Sequence, residues 1–342
     1  MTRVLTEREL NRALLARQLL LSRAKTPLPR ALERIGGIQA QYAPSMYIGL
    51  WTRLDGLERD QLTRALERGT VVQGSMMRAT IHLVSRRDYW PFVVGIRRTQ
   101  RDWWLRTHGR NLDPRTIAAN DRKVRRAFKG GTLTRAQLEQ ILGARLGAAG
   151  VFLDLVRVPP SGTWERRRAD LYGLAEDWVG PESVTEDEGV ELLVRRYLQG
   201  FGPARPAEIA DWASLDVKTT RAALERLELR RFRDEHGKEL VDLPRLPLPS
   251  ADTPAPVRFL PVWDATLLVH ARRTQILPER HRSRVFNVRT PQSVSTFLVD
   301  GQVAGTWRHE QGRVRLEPFG RLPKGVREEL EDEAERLAVF LA

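Results

Sequence analysis

Few side chains in this chain could do chemistry, and the most suggestive are Gln39 and Gln41, in the stretch Ile35-Gly36-Gly37-Ile38-Gln39-Ala40-Gln41-Tyr42-Ala43-Pro44-Ser45. In extended backbone alternate side chains share a face, so both carboxamides point the same way while Ala40 points into the protein. Together they can hold one water or one polar atom between them. Neither titrates near neutral pH, so such a pair acts through positioned dipoles and not as an ordinary acid and base. The same spacing also suits a polar loop after a helix C-cap, because the glycine pair ends a helical run. The remaining inventory narrows the choice. The chain has no glycine-rich phosphate loop and no Gly-x-Ser-x-Gly elbow, which removes nucleotide hydrolysis and dinucleotide-dependent redox chemistry. Its histidines, His82, His108, His236, His270, His281 and His309, are scattered without ligand spacing, so neither a metal nor a cofactor is expected. It contains no cysteine, hence no disulfide, thiolate nucleophile or Cys-ligated zinc.

Charge points to the partner. Lysine and arginine number 57 against 43 acids, a net +14. The only lysines are Lys25, Lys123, Lys129, Lys218, Lys238 and Lys324, so the basic side is nearly all arginine. A planar guanidinium grips phosphate bidentately and stacks on bases, which suits nucleic acid. Met1 to Glu9 holds no apolar signal core, and no stretch approaches ~18 apolar residues. A cytoplasmic, nucleoid-associated protein is expected, with no membrane contact.

The elements that must position the glutamines can be read in order. Thr6 to Glu9 is a capping box opening a leucine-spaced helix, and further helices follow over 27–35, 46–54 and 57–67. Val71 to Gly74 and Thr80 to Val84 read as strands, before a long helix from Arg86 to Arg106. Asp113-Pro114 starts a basic helix, and Pro159-Pro160-Ser161-Gly162 turns a hairpin carrying Arg166-Arg167-Arg168. Helix, turn and helix recur over 189–227, with a hairpin over 229–243. A proline-rich linker or edge loop spans 243–256, then four strands turned once at Asp300-Gly301, then a closing helix over 322–341. The expected fold is α+β, mainly α: three tandem winged-helix units (1–110, 111–181, 182–246) forming a concave basic surface, and a β-rich C-terminal segment with a helix (247–342).

Five ordered motifs carry a resemblance: Gly36 to Gln41; Met77-Arg78-Ala79-Thr80-Ile81-His82-Leu83; Arg157 to Trp164; Phe259-Leu260-Pro261-Val262-Trp263-Asp264; and Leu298 to Trp307. Together they resemble the winged-helix DNA glycosylases of the AlkZ-like and YcaQ-like kind over nearly the whole chain. The signature Gln-Φ-Gln marks the AlkZ-like branch, and Gln39-Ala40-Gln41 resembles it with a small Φ residue. The resemblance implies Gln39 and Gln41 as catalytic residues and double-stranded DNA bearing alkylated purines as partner. It implies excision of N7-alkylguanine and unhooking of interstrand crosslinks, often as self-resistance to a DNA-alkylating natural product.

The residues make chemical sense of this. N7-alkylation makes guanine cationic and a good leaving group, so scission needs a placed water and partial negative charge near the oxocarbenium-like sugar. No lysine lies beside the glutamines, which points to a monofunctional enzyme leaving an abasic site. A tethered guanine cannot swing out, so a wing is expected to enter the duplex, with Arg157, Trp164 and Arg166 near DNA. Arg78 and His82, and Arg272, Arg273 and His281, are the other DNA-contact candidates. The alternative is a non-enzymatic winged-helix transcription regulator using the same basic faces. A monomer is expected, since an asymmetric lesion needs no symmetric reader.

Overall fold

Short strands tie distant parts of this chain together, and they decide where the glutamines sit. The computed structural model describes residues 2–108, 113–129, 131–146, 152–168, 170–268, 273–286 and 293–342. Strand β1 (Val4–Leu5) precedes the helix Glu7–Arg17, whose capping box forms as read: the Thr6 hydroxyl accepts from Glu9 N–H, and the Glu9 carboxylate from Thr6 N–H. Helices Leu28–Ile35, Ala43–Trp51 and Arg59–Glu67 follow, with β2 (Ile38–Gln39) between the first two. Next come β3 (Val71–Ser75), β4 (Ile81–Ser85) and the long helix Arg86–His108.

The second stretch supplies helices Pro114–Phe128 and Arg135–Leu142 and strands β5 (Leu133–Thr134), β6 (Leu155–Arg157) and β7 (Leu171–Leu174). These do not form a sheet of their own. The order is β2-β4-β3-β6-β7-β5, one six-stranded sheet, because Gln73 and Gly74 of β3 pair with Arg157 and Val156 of β6. The first two units expected from the sequence therefore share a backbone ladder. Strand periodicity reports faces, not neighbours, so nothing local announced that pairing.

Helices Glu186–Phe201, Pro206–Ala213 and Val217–Glu225 give the third stretch its helix-turn-helix, followed by hairpin β8 (Arg230–Asp234) and β9 (Glu239–Asp242). β1 lies parallel against β8, closing the N-terminus onto it. The proline-rich stretch is strapped down, not a free linker. Its carbonyls at Leu246, Pro247, Ala251 and Thr253 accept from Arg230, Arg17, Arg8 and Arg12. Then β10 (Arg258–Leu260), β11 (Thr296–Val299), β12 (Gln302–Glu310) and β13 (Arg313–Pro318) make a four-stranded antiparallel sheet, covered by the helix Val326–Leu341.

Two large apolar clusters join these parts. One packs Met76, Tyr89 and Phe92 with Tyr197, Phe201 and Trp212 of the third stretch. The other packs Ile38, Ala40 and Tyr47 with Trp164, Phe259, Trp307 and Phe340, from three separate stretches. Buried ion pairs lock the seams: Arg17 with Asp242 (2.7 Å), Arg53 with Asp264 (2.9 Å) and Arg196 with Asp88 (2.7 Å). Some of the arginine that marks the sequence is thus structural, inside the fold and neutralised.

Candidate active site

The glutamine stretch is a short strand held between two helix ends. Gly36 caps the helix Leu28–Ile35 in the left-handed region (φ 79°), and Gly37 follows at φ 75°; its amide donates to Leu32 O, 2.8 Å. A side chain on Gly37 would also collide with Val84 and the Leu83 carbonyl, so the reversal into β2 requires glycine twice over. β2 then pairs antiparallel with β4, Ile38 opposite Leu83 and Gln39 opposite His82. Ala40 N–H continues the ladder to Ile81 O at 2.8 Å. Tyr42 caps the next helix, which has Pro44 in its first turn and is buried throughout.

The alternation holds. Ile38 and Ala40 face the core, and Gln39 and Gln41 take the other side. Gln39 is only 6% exposed, yet among the described residues its carboxamide has no hydrogen-bond partner. Gln41 stands at the surface. Its Oε1 accepts from Ile81 N–H at 3.3 Å, so the oxygen is the tethered end and the NH2 the outward one. An amide facing a donor has to present its oxygen, and this N–H lies one residue beyond the Gln39–His82 pair.

His82 is directly across the ladder from Gln39, on the same face. It is 3% exposed and its pKa is pushed down to about 3, by burial first and then by Arg78; the bond to Thr80 O only partly opposes this. Nδ1–H donates to Thr80 O at 3.1 Å, leaving Nε2 as an acceptor 3.5 Å from Arg78 Nη2. His82 is a neutral interior histidine and not a phosphate contact. Arg78 is half-buried, with its guanidinium turned inward onto the Trp212 carbonyl. Burial pulls it down to about 10, still cationic at neutral pH. Its chain direction is unusual, since both Arg78 (φ 56°) and Ala79 (φ 53°) are left-handed.

The excursion between β6 and β7 was expected to be a protruding wing. Instead it folds back. Ser161 Oγ accepts from the amides of Asp170 (2.7 Å) and Leu171 (3.1 Å), and the amides of Gly162 and Thr163 donate to Arg166 O. Trp164 is 7% exposed, its ring 5.5 Å from Tyr47 and 6.1 Å from Phe340. So large an indole gains more from that apolar socket than from water, and it is no DNA wedge. Its rim does reach Tyr42, the residue after Gln41. The Arg167 guanidinium lies 5.4 Å from the Trp164 centroid and donates to the Tyr42 hydroxyl at 3.5 Å. Arg59 lies at 4.9 Å from the same ring. Neither has a carboxylate partner among the described residues.

The other candidates scatter. Arg166 is exposed and pairs with Asp170 at 3.5 Å. Arg157 is half-buried, its guanidinium 5.6 Å from the Tyr172 centroid, on a cavity of about 240 Å³ shared with Tyr89, Arg97 and Asp154. His281 packs on Phe319 at 4.8 Å, away from the glutamine strand, and burial together with Arg280 and Arg284 lowers its pKa. Arg272 lies outside the described residues, and of Arg273 only the backbone, opening a short turn, is described. The sequence reading missed Arg59, Arg167 and Tyr42. The arginine run and the neighbour of Gln41 were in view, whereas Arg59 gave no signal.

A model of the AlkZ-like DNA glycosylases matches residues 32–340. The chain belongs to the AlkZ-like DNA glycosylase family. An interstrand DNA cross-link repair glycosylase of Streptomyces sahachiroi is 24% identical over 337 residues, covering 89% of this chain and 88% of that one. The solved structure of Streptomyces sahachiroi DNA glycosylase AlkZ superposes with a TM-score of 0.80 at 20% identity, over 99% of this chain and 97% of that one. The AlkZ-like fold is therefore shared end to end, as a mixed α+β architecture. Among the described residues no cluster of three His, Asp or Glu side chains stands ready for a metal, and no helix is long and apolar enough to cross a membrane.

Proposed function

We propose that this chain is a monofunctional DNA glycosylase that hydrolyses the N-glycosidic bond of cationic N7-alkylguanine. The observation that carries the reading is the Gln39 carboxamide, almost buried and unpartnered, beside a second carboxamide at the surface. Its polar atoms are not sealed in the interior, so a water or a sugar edge can take them up in the complex.

In the reaction the C1′–N9 bond breaks, its electron pair neutralises the alkylguanine, and water oxygen bonds to C1′ while its proton passes to solvent. Gln39 oxygen faces the attacking water and the positive sugar. Gln41, its oxygen held by Ile81, offers its NH2 to the water or to a DNA oxygen. Arg59 and Arg167, propped on Trp164, grip the neighbouring phosphates across a concave basic surface. His82 exchanges no proton, so only lesions that already carry charge are excised. Crosslinked guanines are substrates in the same sense, in keeping with the cross-link repair of the Streptomyces relative. The role is repair of, or self-resistance to, a DNA-alkylating natural product, performed by a monomer.

The test is a duplex bearing one 7-methylguanine, incubated with protein and cleaved with alkali. Wild type cuts at the lesion, and Gln39→Ala or Gln41→Ala lowers the rate about 10²- to 10³-fold. Either variant retaining the wild-type rate overturns the mechanism.

A further inference from the structure

The Met76–Thr80 loop connects β3 to β4, and Ile81, the first residue of β4, supplies the N–H that holds Gln41. Two consecutive non-glycine residues in this loop are left-handed, a conformation that persists only when the surroundings impose it. Two contacts from the third stretch do so. Arg78 N–H donates to Ser214 Oγ at 2.8 Å, and Arg78 Nη1 donates to Trp212 O. Ser214 is itself left-handed (φ 58°), which ends the helix Pro206–Ala213 and turns its hydroxyl to the loop. The elbow of the helix-turn-helix and the glutamine strand are thus joined through five residues, Met76 to Thr80. Outside the loop lies a cavity of about 360 Å³, lined by Arg78, Ala79, Gln100, Trp103, Arg106 and Ser214, which gives it room to relax.

We propose that Arg78 is a positioning residue: latched by Ser214 and Trp212, it fixes the Met76–Thr80 loop so that Ile81 keeps the Gln41 carboxamide in its working orientation. The inference rests on the glycosylase reading and deepens it. It also replaces the phosphate contact expected of Arg78, because the guanidinium is occupied inside the fold.

Arg78→Met and Ser214→Ala separate these roles, the second being the milder change should the first misfold. Three quantities are measured: single-turnover excision of 7-methylguanine, DNA affinity as a function of salt, and hydrogen exchange at the Ile81 amide. Positioning predicts a rate loss of about 10- to 100-fold for Arg78→Met, as for a small misplacement of reacting groups. Ser214→Ala loses less, and affinity and salt slope stay at wild type in both. Adding Gln41→Ala to Arg78→Met lowers the rate no further than Gln41→Ala alone. A salt slope reduced by about 0.9 with unchanged single-turnover rate makes Arg78 a phosphate ligand and overturns the proposal. If wild-type protein excises nothing, the glycosylase reading fails, and the exchange measurement decides alone. Faster exchange at Ile81 in both variants upholds the latch, and unchanged exchange rejects it.

Discussion

Asp264 closes one of the sequence motifs, and the structure gives it a purpose that can be measured. Its carboxylate takes both terminal nitrogens of Arg53, at 2.9 and 3.0 Å, with side chains 1% and 0% exposed. It also accepts from the Thr266 amide (3.0 Å) and hydroxyl (2.7 Å), while Arg53 reaches Gly49 O (2.9 Å) in the helix that starts after Gln41 and Tyr42. Asp264→Asn keeps the shape and the Thr266 bonds but leaves a guanidinium buried without its counter-charge, a loss of about 3–5 kcal/mol. Arg53→Met leaves a bare buried carboxylate, at comparable cost. Arg53→Met with Asp264→Asn removes both charges and costs far less than the two single changes added together, a coupling of at least about 3 kcal/mol. Burial raises the Asp264 pKa, but Arg53 and the hydrogen bonds overcome it, so in the wild type the pKa lies below its ordinary value. The pair's contribution is therefore complete above the unfolded-state carboxylate pKa and fades as pH falls through the folded one. In Arg53→Met only the Thr266 bonds still oppose burial, the folded pKa rises, and the variant recovers as acid protonates Asp264. Urea unfolding of the four proteins at pH 7 and in mild acid reads all of this. Additive single-mutant costs, or an Arg53→Met variant that weakens further on acidification, refute the reasoning.

Other outcomes follow from the same geometry. Excision by wild type is flat between pH 6 and 9 (about neutral, where carboxamides do not titrate); a sigmoidal rate with a midpoint near 7 assigns the chemistry to a titrating group instead. His82 is held neutral with its pKa about 3, well under the unfolded value, so its share of stability is complete above about pH 6.5 and declines steadily below it. His82→Gln flattens that part of an acid melting series. Arg167→Ala weakens DNA binding and reduces the salt slope by about 0.9 without changing the pH profile, as titration of binding against salt will record. Borohydride traps no covalent adduct with abasic product, because the proposed mechanism contains no amine nucleophile.

Local signals in this sequence were readable and distant ones were not. Thr6 with Glu9, Asp113 before Pro114, and Asp300-Gly301 (φ 46° and 79°) each state their turn or cap within four residues. The facing of Gln39, Ala40 and Gln41 was equally legible, because strand parity is a nearest-neighbour property. The pairing of β3 with β6 was not, since Gln73 and Arg157 lie far apart in the chain and either strand has a plausible partner closer by. The arginines misled for the same reason. Arg17 meets Asp242 at a separation of 225 residues, and Arg78 finds Trp212 at 134, so a cation that reads as a phosphate ligand becomes an internal tie. The orientation of the Gln41 amide was not legible either, because Ile81 N–H, forty residues on, takes its oxygen.

The indole of Trp164 carries one more consequence. It wedges the second stretch of chain beneath the closing helix while β6 stays zipped to β3, so those parts form a single stiff block. A block of that kind does not hinge open to admit a lesion. In the proposed reaction, whatever distortion brings a sugar within reach of Gln39 is then borne by the duplex, which bends or widens a groove at a sequence-dependent elastic cost.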